Sequence, residues 1–355
     1  MRFTFLVICL VCCLTVSAQK RADRQTLSDP NSFSMILLGD PQGYIKYDFT
    51  QPIFELCTAW IADNIKQLSI KAVLCTGDLV EHNEHFVQDN SIVNQTSREM
   101  WEAVSHSFAK LDNKVPYIIS TGNHDYGYLK SESNISHFSE YFYFERNSTW
   151  RDICVSTYPN RNGIASLENV AFEFNEPNWG KLLVVAVEFA PRDEVLEWVK
   201  KLIVTDRYKD SKVLLLLHSF LYEHTADRIE KESYKIRPCN WGKAVWEKLV
   251  KNASNIRLVL CGHSGVPHSF KNSVAYRVDK NNDDKEVHQM MFNVQTLGGG
   301  WEGNGGDGWL RILEFMPDGK TIKVRTYSPL FGISPATKHL AHRTEEFDQF
   351  EIILK

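Results

Sequence analysis

The sequence predicts an α/β fold around a buried, mostly parallel sheet, and two observations carry that reading. Short unbroken apolar runs alternate with stretches of helical period between Ser34 and Gly262. Five of those runs lead directly into an Asp, Asn or His. An unbroken apolar run suits a strand covered on both faces, and helices between strands return the chain so that neighbours lie parallel. In such sheets ligands bind beyond the carboxyl ends of the strands.

The expected strands are Met35–Leu38, Ala72–Cys75, Tyr117–Ile119, Leu182–Phe189, Val213–Leu217 and Leu258–Cys261. Between them Ile53–Leu68, Arg98–Leu111, Arg192–Ile203 and Lys243–Lys251 repeat apolar residues at the spacing of one helix face. Beyond Gly262 the texture changes. Val274–Val278, Glu286–Gln295, Trp309–Phe315 and Thr321–Tyr327 read as strands joined by turns, with Pro317-Asp318-Gly319 as a hairpin signal. These hairpins predict a second sheet packed on the first. Gly298–Gly308, with seven glycines in eleven residues, reads as a loop. The aromatic cluster Phe138–Phe144 reads as core packing in preference to a wall over a site.

Composition narrows the class. With 24% charged, 43% hydrophobic and 12% aromatic residues the chain has the balance of a globular protein, which excludes a disordered tail, a collagen or a coiled coil. A net charge of −4 offers no basic footprint for nucleic acid. Residues 1–18 read as a secretory signal peptide: Arg2, an apolar run from Phe3 to Val16, then Val16-Ser17-Ala18 before Gln19. A run of about 14 residues is short for a bilayer, which needs about 20. The expected organisation is a leader at 1–18, an N-terminal lead at 19–33, one domain at 34–330 and a C-terminal tail at 331–355 packed on it. The expected compartment is secreted or lumenal, with no membrane span. Four Asn-x-Ser/Thr acceptors agree with it: Asn94, Asn134, Asn147 and Asn252. Five cysteines follow the leader, an odd number. Cys75 and Cys261 sit in apolar runs and read as buried thiols, whereas Cys154 and Cys239 lie in polar stretches and are the expected disulfide.

The polar residues at the strand ends are Asp40 and Gln42, Asp78, Asn123-His124-Asp125, His218 and His263, and glycine precedes four of the five groups. Carboxylate, amide oxygen and imidazole together suit a borderline divalent ion such as Mn²⁺, Fe²⁺ or Zn²⁺. A carboxylate shared by two such ions is a recurring clamp for phosphoryl chemistry. His124, flanked by Asn123 and Asp125, has the setting of a general acid.

In order and spacing, Gly39-Asp40-x-Gln42, Gly77-Asp78, Gly122-Asn123-His124-Asp125, His218 and Gly262-His263 resemble the calcineurin-like metallophosphoesterases. Gly306–Phe315 and Val324–Pro329 also look like one branch of that family. The resemblance implies a four-layer αββα sandwich of two mixed sheets with a two-metal centre. It assigns Asp40 to the first metal, Asp78 to both, and Asn123, His218 and His263 to the second. It makes His124 the acid, oriented by Asp125, with attack by a metal-bound hydroxide. Two departures fall on the first metal: Gln42 stands where the family usually has His, and Gly265 where it often has a second His. His268 replaces the latter if the Gly265-Val266-Pro267 turn folds back. The expected first site is therefore weak. Glu81 stands where purple acid phosphatases place a Tyr, which excludes an iron–tyrosinate centre. His82 and His85 read as surface or packing residues that line the cleft at most.

The leading reading is a secreted metal-dependent phosphoesterase acting on a phosphorylated substrate. The alternative is a secreted metal-binding or ligand-binding module of the same fold with little turnover. A nuclease would need a basic groove, and no Lys/Arg cluster lies near the motifs.

Overall fold

The computed structural model describes residues 24–86 and 93–354; the expected leader at 1–18 lies outside them. The chain runs β1 (Phe33–Leu38), α1 (Gln42–Ile45), α2 (Gln51–Asn64), β2 (Ile70–Cys75), α3 (Ser97–Ala109), β3 (Tyr117–Ile119), α4 (Phe138–Tyr141) and β4 (Cys154–Thr157). It continues β5 (Val170–Glu176), β6 (Gly180–Ala186), α5 (Asp193–Ile203), β7 (Lys212–Leu216), α6 (Gly242–Lys248) and β8 (Ile256–Cys261). It closes with β9 (Val274–Lys280), β10 (Glu286–Phe292), β11 (Leu310–Phe315), β12 (Thr321–Tyr327), α7 (Pro329–Gly332), β13 (His342–Arg343) and β14 (Phe350–Ile353).

One sheet is ordered β13-β12-β11-β1-β2-β3, with β14 also on β12, and the other β4-β5-β6-β7-β8-β10-β9. Both are mixed: β1–β2–β3 and β6–β7–β8–β10 are parallel, and the hairpins β11–β12 and β9–β10 are antiparallel. This corrects the expected division. The six apolar runs do not share one sheet, and the late hairpins do not make the other. Each sheet takes three of the runs and one of the late hairpins, and β4 and β5 further extend the second. A run that is apolar on both faces carries no mark of which sheet it joins. The tail is integrated too, since β14 pairs with β12 from Thr321 to Val324.

Period-two alternation sets the layers. Leu182, Val184 and Ala186 of β6 face the core between the sheets, together with Leu214, Leu216, Leu258 and Leu260. Leu183 and Val185 of β6 face outward onto Val195, Leu196 and Val199 of α5 and Val245 and Trp246 of α6. On the far side, Phe54 and Ile61 of α2 and Trp101, Val104 and Phe108 of α3 cover the first sheet. The order helix–sheet–sheet–helix is the four-layer sandwich. Helix α3 is fixed at its start by a capping box, Thr96 accepting from the Glu99 N–H and Glu99 from the Thr96 N–H. In α5, Asp193 and Glu194 open the helix and Lys200 and Lys201 close it, which suits its dipole. Phe138 and Phe142 are buried in the core, as expected of the aromatic cluster.

Two expectations fail on burial. Cys154 and Cys239 are both free, as are Cys57, Cys75 and Cys261. Cys154 packs on the inter-sheet core, whereas Cys239 packs on a separate cluster with Phe189 and Trp241, so each thiol already has an apolar bed of its own. Asn147 is fully buried, its Nδ2 donating to Val115 O at 3.1 Å and its Oδ1 accepting from Asn113 and Thr149, so it is no acceptor for a glycan. Of the others, Asn252 is exposed, and Asn94 and Asn134 are half-buried. No helix among the described residues is long and apolar enough to cross a membrane.

Candidate metal centre

The carboxyl ends of β1, β2 and β3 in one sheet meet those of β7 and β8 in the other, and the polar residues after these five strands converge there. The glycines permit the approach. A Cβ on Gly122 would lie 2.1 Å from Asp78 Oδ1, and one on Gly262 would lie 2.2 Å from Asp40 Oδ1. Asp78 (φ 50°) and His263 (φ 78°) hold left-handed backbone without being glycine. Such conformations cost about 1–3 kcal/mol each and persist where the surroundings enforce them. Here the His263 N–H donates to Asp40 Oδ2 at 3.0 Å, and Asp78 O accepts from the Gln42 N–H at 2.9 Å.

His218 Nε2 is the hub. It lies 3.1 Å from Asp78 Oδ2, from Asn123 Oδ1 and from His263 Nδ1. Its Nδ1 donates to Thr76 O at 2.8 Å, which leaves Nε2 as the inward ligand atom. One carboxylate oxygen, one amide oxygen and two imidazole nitrogens around one point form a donor set for a borderline divalent ion. Asp78, His218 and His263 form one of two metal-capable clusters among the described residues. Burial works against charge on His218, but Asp78 and Asp40 outweigh it and push its pKa up to about 10. Burial also opposes ionisation of Asp78, yet His218 and His124 hold that carboxyl below the usual range. Burial alone dominates at Asp40, pushed up to about 6. Two buried carboxylates are thus balanced by an imidazolium, and a divalent ion on the same nitrogen would balance them instead.

The fit around Asp40 is poorer. Its Oδ1 accepts from Thr76 Oγ1 at 2.8 Å, and its Oδ2 accepts from Asn293 Nδ2 at 2.7 Å, the His263 N–H and Gln295 Nε2 at 3.4 Å. Gln42 points elsewhere, its Nε2 donating to Glu81 Oε2 at 3.3 Å. His268 is exposed and lies beside Gly300, outside both metal-capable clusters. Asn293 follows β10 as Asp40 follows β1. Extending the expected strand through Gln295 hid a sixth strand end, which the same pattern would have revealed.

His124 sits at the mouth, its side chain 15% exposed. Its Nδ1 donates to Glu81 O at 2.6 Å, and its backbone N–H donates to Asp78 Oδ1 at 2.8 Å. Burial lowers its pKa, but Asp78 and Glu81 outweigh burial and raise it. The expectation that Asp125 orients this ring is corrected. Asp125 is turned away, accepting from the Gly122 N–H at 2.7 Å and the Leu79 N–H at 2.7 Å, so it ties two strand-end loops together. The Glu81 carbonyl orients His124.

Glu232 was not foreseen. Its Oε1 lies 2.5 Å from His263 Nε2, and its Oε2 accepts from Ser219 Oγ at 2.7 Å. Burial would raise its pKa, but the bond to His263 dominates and lowers it. It lies in an irregular loop with no strand-end or helical pattern to mark it.

Two mixed sheets with a strand-end cluster of this composition define an α/β fold with a candidate metal centre. The chain belongs to the calcineurin-like phosphoesterase family, whose family model matches residues 33–267. It is 28% identical over 305 residues to the uncharacterized protein YvnB of Bacillus subtilis (strain 168), covering 84% of this chain. The chain spans 20% of the length of that curated relative. Among solved structures it is similar to a dimetal phosphatase from Danio rerio, with TM-score 0.48 and 11% identity, covering 92% of this chain and all of that one. It is also similar to GAP50, the anchor in the inner membrane complex of Plasmodium, with TM-score 0.48 and 11% identity, covering 91% and 89%.

Proposed function

We propose that this chain hydrolyses a phosphate ester, with Asp78, Asn123, His218 and His263 as the residues that hold a divalent metal. The observation that carries the reading is the meeting of all four donors at His218 Nε2, with His124 beside them. When bound, the metal supplies charge neutralisation for the phosphoryl oxygens and activation of water. The rest falls to the chain. Glu232 fixes His263 with Nδ1 inward. The Glu81 carbonyl holds the His124 ring, and the raised pKa of His124 suits it to protonate the departing alkoxide. Asp40, without Gln42, offers a weaker place for a second ion.

The amide network on Asp40 favours one further reading, a secreted module that binds metal and turns over little. Hydrolysis of an aryl phosphate monoester and an aryl phosphate diester, metal-stripped and after adding Mn²⁺, separates the two. Metal-dependent turnover that Asp78→Asn abolishes supports the enzyme. Metal content with no turnover of either ester supports the binding module. Secretion belongs to the same proposal and rests on the apolar leader; a mature N-terminus at Gln19 in secreted material is the result that supports it.

A further inference from the structure

Beside the centre lies a second group of ligand atoms with a different composition. Glu81, His82 and His124 each offer one such atom, and these lie within 4.8 Å of one another. His82 is 6% exposed, and its Nδ1 has no hydrogen-bond partner. Burial first, then the neighbouring His124 and His85, push its pKa down to about 4, so at neutral pH the ring is uncharged. An uncharged imidazole is the form that ligates a metal. Gln42 is 3% exposed; its Nε2 donates to Glu81 Oε2, while its Oε1 has no partner. A buried orphan amide oxygen and a buried orphan ring nitrogen each cost free energy, and a cation beside Glu81 would relieve both. Which end of an amide faces Glu81 follows from what stands there: an anion alone draws the NH₂, a bound cation draws the oxygen.

We propose that Glu81, His82 and His124, with the Gln42 amide oxygen, form a separate divalent-cation site selective for zinc-like ions. One carboxylate and two imidazoles are the ligand types zinc favours. The two sites are linked through one residue, because the His124 N–H also holds Asp78 Oδ1. The existence of the site does not rest on the phosphoesterase reading.

The test is zinc counted by elemental analysis on the mature chain dialysed against buffered free Zn²⁺, for the wild type, Glu81→Gln, His82→Gln and His218→Ala. The expected result is two classes of zinc in the wild type. Glu81→Gln and His82→Gln weaken one class by at least the roughly 10–100-fold that loss of a supporting partner costs. They keep the other class, which also shows that they fold. His218→Ala does the reverse. Equal zinc binding by the wild type and both cluster variants would overturn the site. The zinc count needs no ester turnover, so the failure of the site and that of the phosphoesterase reading are told apart.

Discussion

Glu232 Oε1 and His263 Nε2 stand 2.5 Å apart, and this pair sets which nitrogen of His263 faces the centre. With Nε2–H committed to the carboxylate, Nδ1 is left as the inward acceptor, 3.1 Å from His218 Nε2. A carboxylate behind a ligating histidine fixes its tautomer and raises its basicity, and loss of such a partner costs about 10–100-fold in metal affinity. Glu232→Gln preserves shape and removes the charge. Its expected effect is weaker metal binding of that order, read by competition with a chelator, with little change in thermal stability once metal is removed. Unaltered affinity would show that the pair is only structural.

His124→Ala separates holding from chemistry. The residue lies outside the Asp78–His218–His263 cluster, so the metal bound there is expected to stay. Turnover is expected to fall by about 10²–10⁴-fold on esters with poor leaving groups and by less on good ones. A steady-state comparison of alkyl and nitrophenyl esters measures this. Equal losses on both would remove His124 from the acid role.

The loop that carries Glu232 is anchored at Asp279. Its Oδ2 accepts from Arg228 Nη2 at 2.6 Å, Arg277 Nε at 2.7 Å and Gln289 Nε2 at 2.8 Å, while the Arg228 guanidinium lies 3.6 Å over the Trp246 ring. Burial would raise the Asp279 pKa, but these bonds and charges outweigh it and bring it down to about 2 from the ordinary 3.8. A depressed carboxylate stabilises the fold above its unfolded pKa, and that contribution fades as pH falls through the folded value. Asp279→Asn is therefore expected to melt earlier than the wild type at pH 7. The gap should narrow from about pH 4 and close near pH 2, as melting curves across that range would show. A gap independent of pH would mean that charge is not what holds the loop.

The strand ends were readable because an Asp, Asn or His follows each apolar run, after a glycine at four of the five, a local pattern that the close approach at Gly122 and Gly262 enforces. The partition into two sheets was not, because Leu182–Ala186 and Leu214–Leu216 are apolar on both faces and either neighbour would cover them. The roles of Asp125, Asn147 and Glu232 depend on groups far away in sequence or on main-chain atoms. Asn147 illustrates the limit: its tripeptide is that of a surface acceptor, but Val115 and Asn113 claim its amide. Gln42 looked like a substituted ligand beside Asp40; Glu81, which no spacing rule connects to it, draws it away.

Asp125 makes the sharpest contrast with His124, its sequence neighbour. Its two oxygens accept from the N–H groups of Gly122 and Leu79, with Val80 further off at 3.3 Å, and all of this lies in the interior. Removing the carboxylate leaves buried donors without partners, at about 1–3 kcal/mol. Those donors belong to the turns that place Asp78 and Asn123, so the damage falls on metal holding, with the acid untouched. Asp125→Ala is therefore expected to lower the melting temperature and the metal affinity together. It should slow alkyl and nitrophenyl esters by the same factor, the reverse of the His124→Ala pattern. A loss confined to poor leaving groups would return Asp125 to the role of orienting the acid, against the 2.6 Å bond that gives that role to the Glu81 carbonyl.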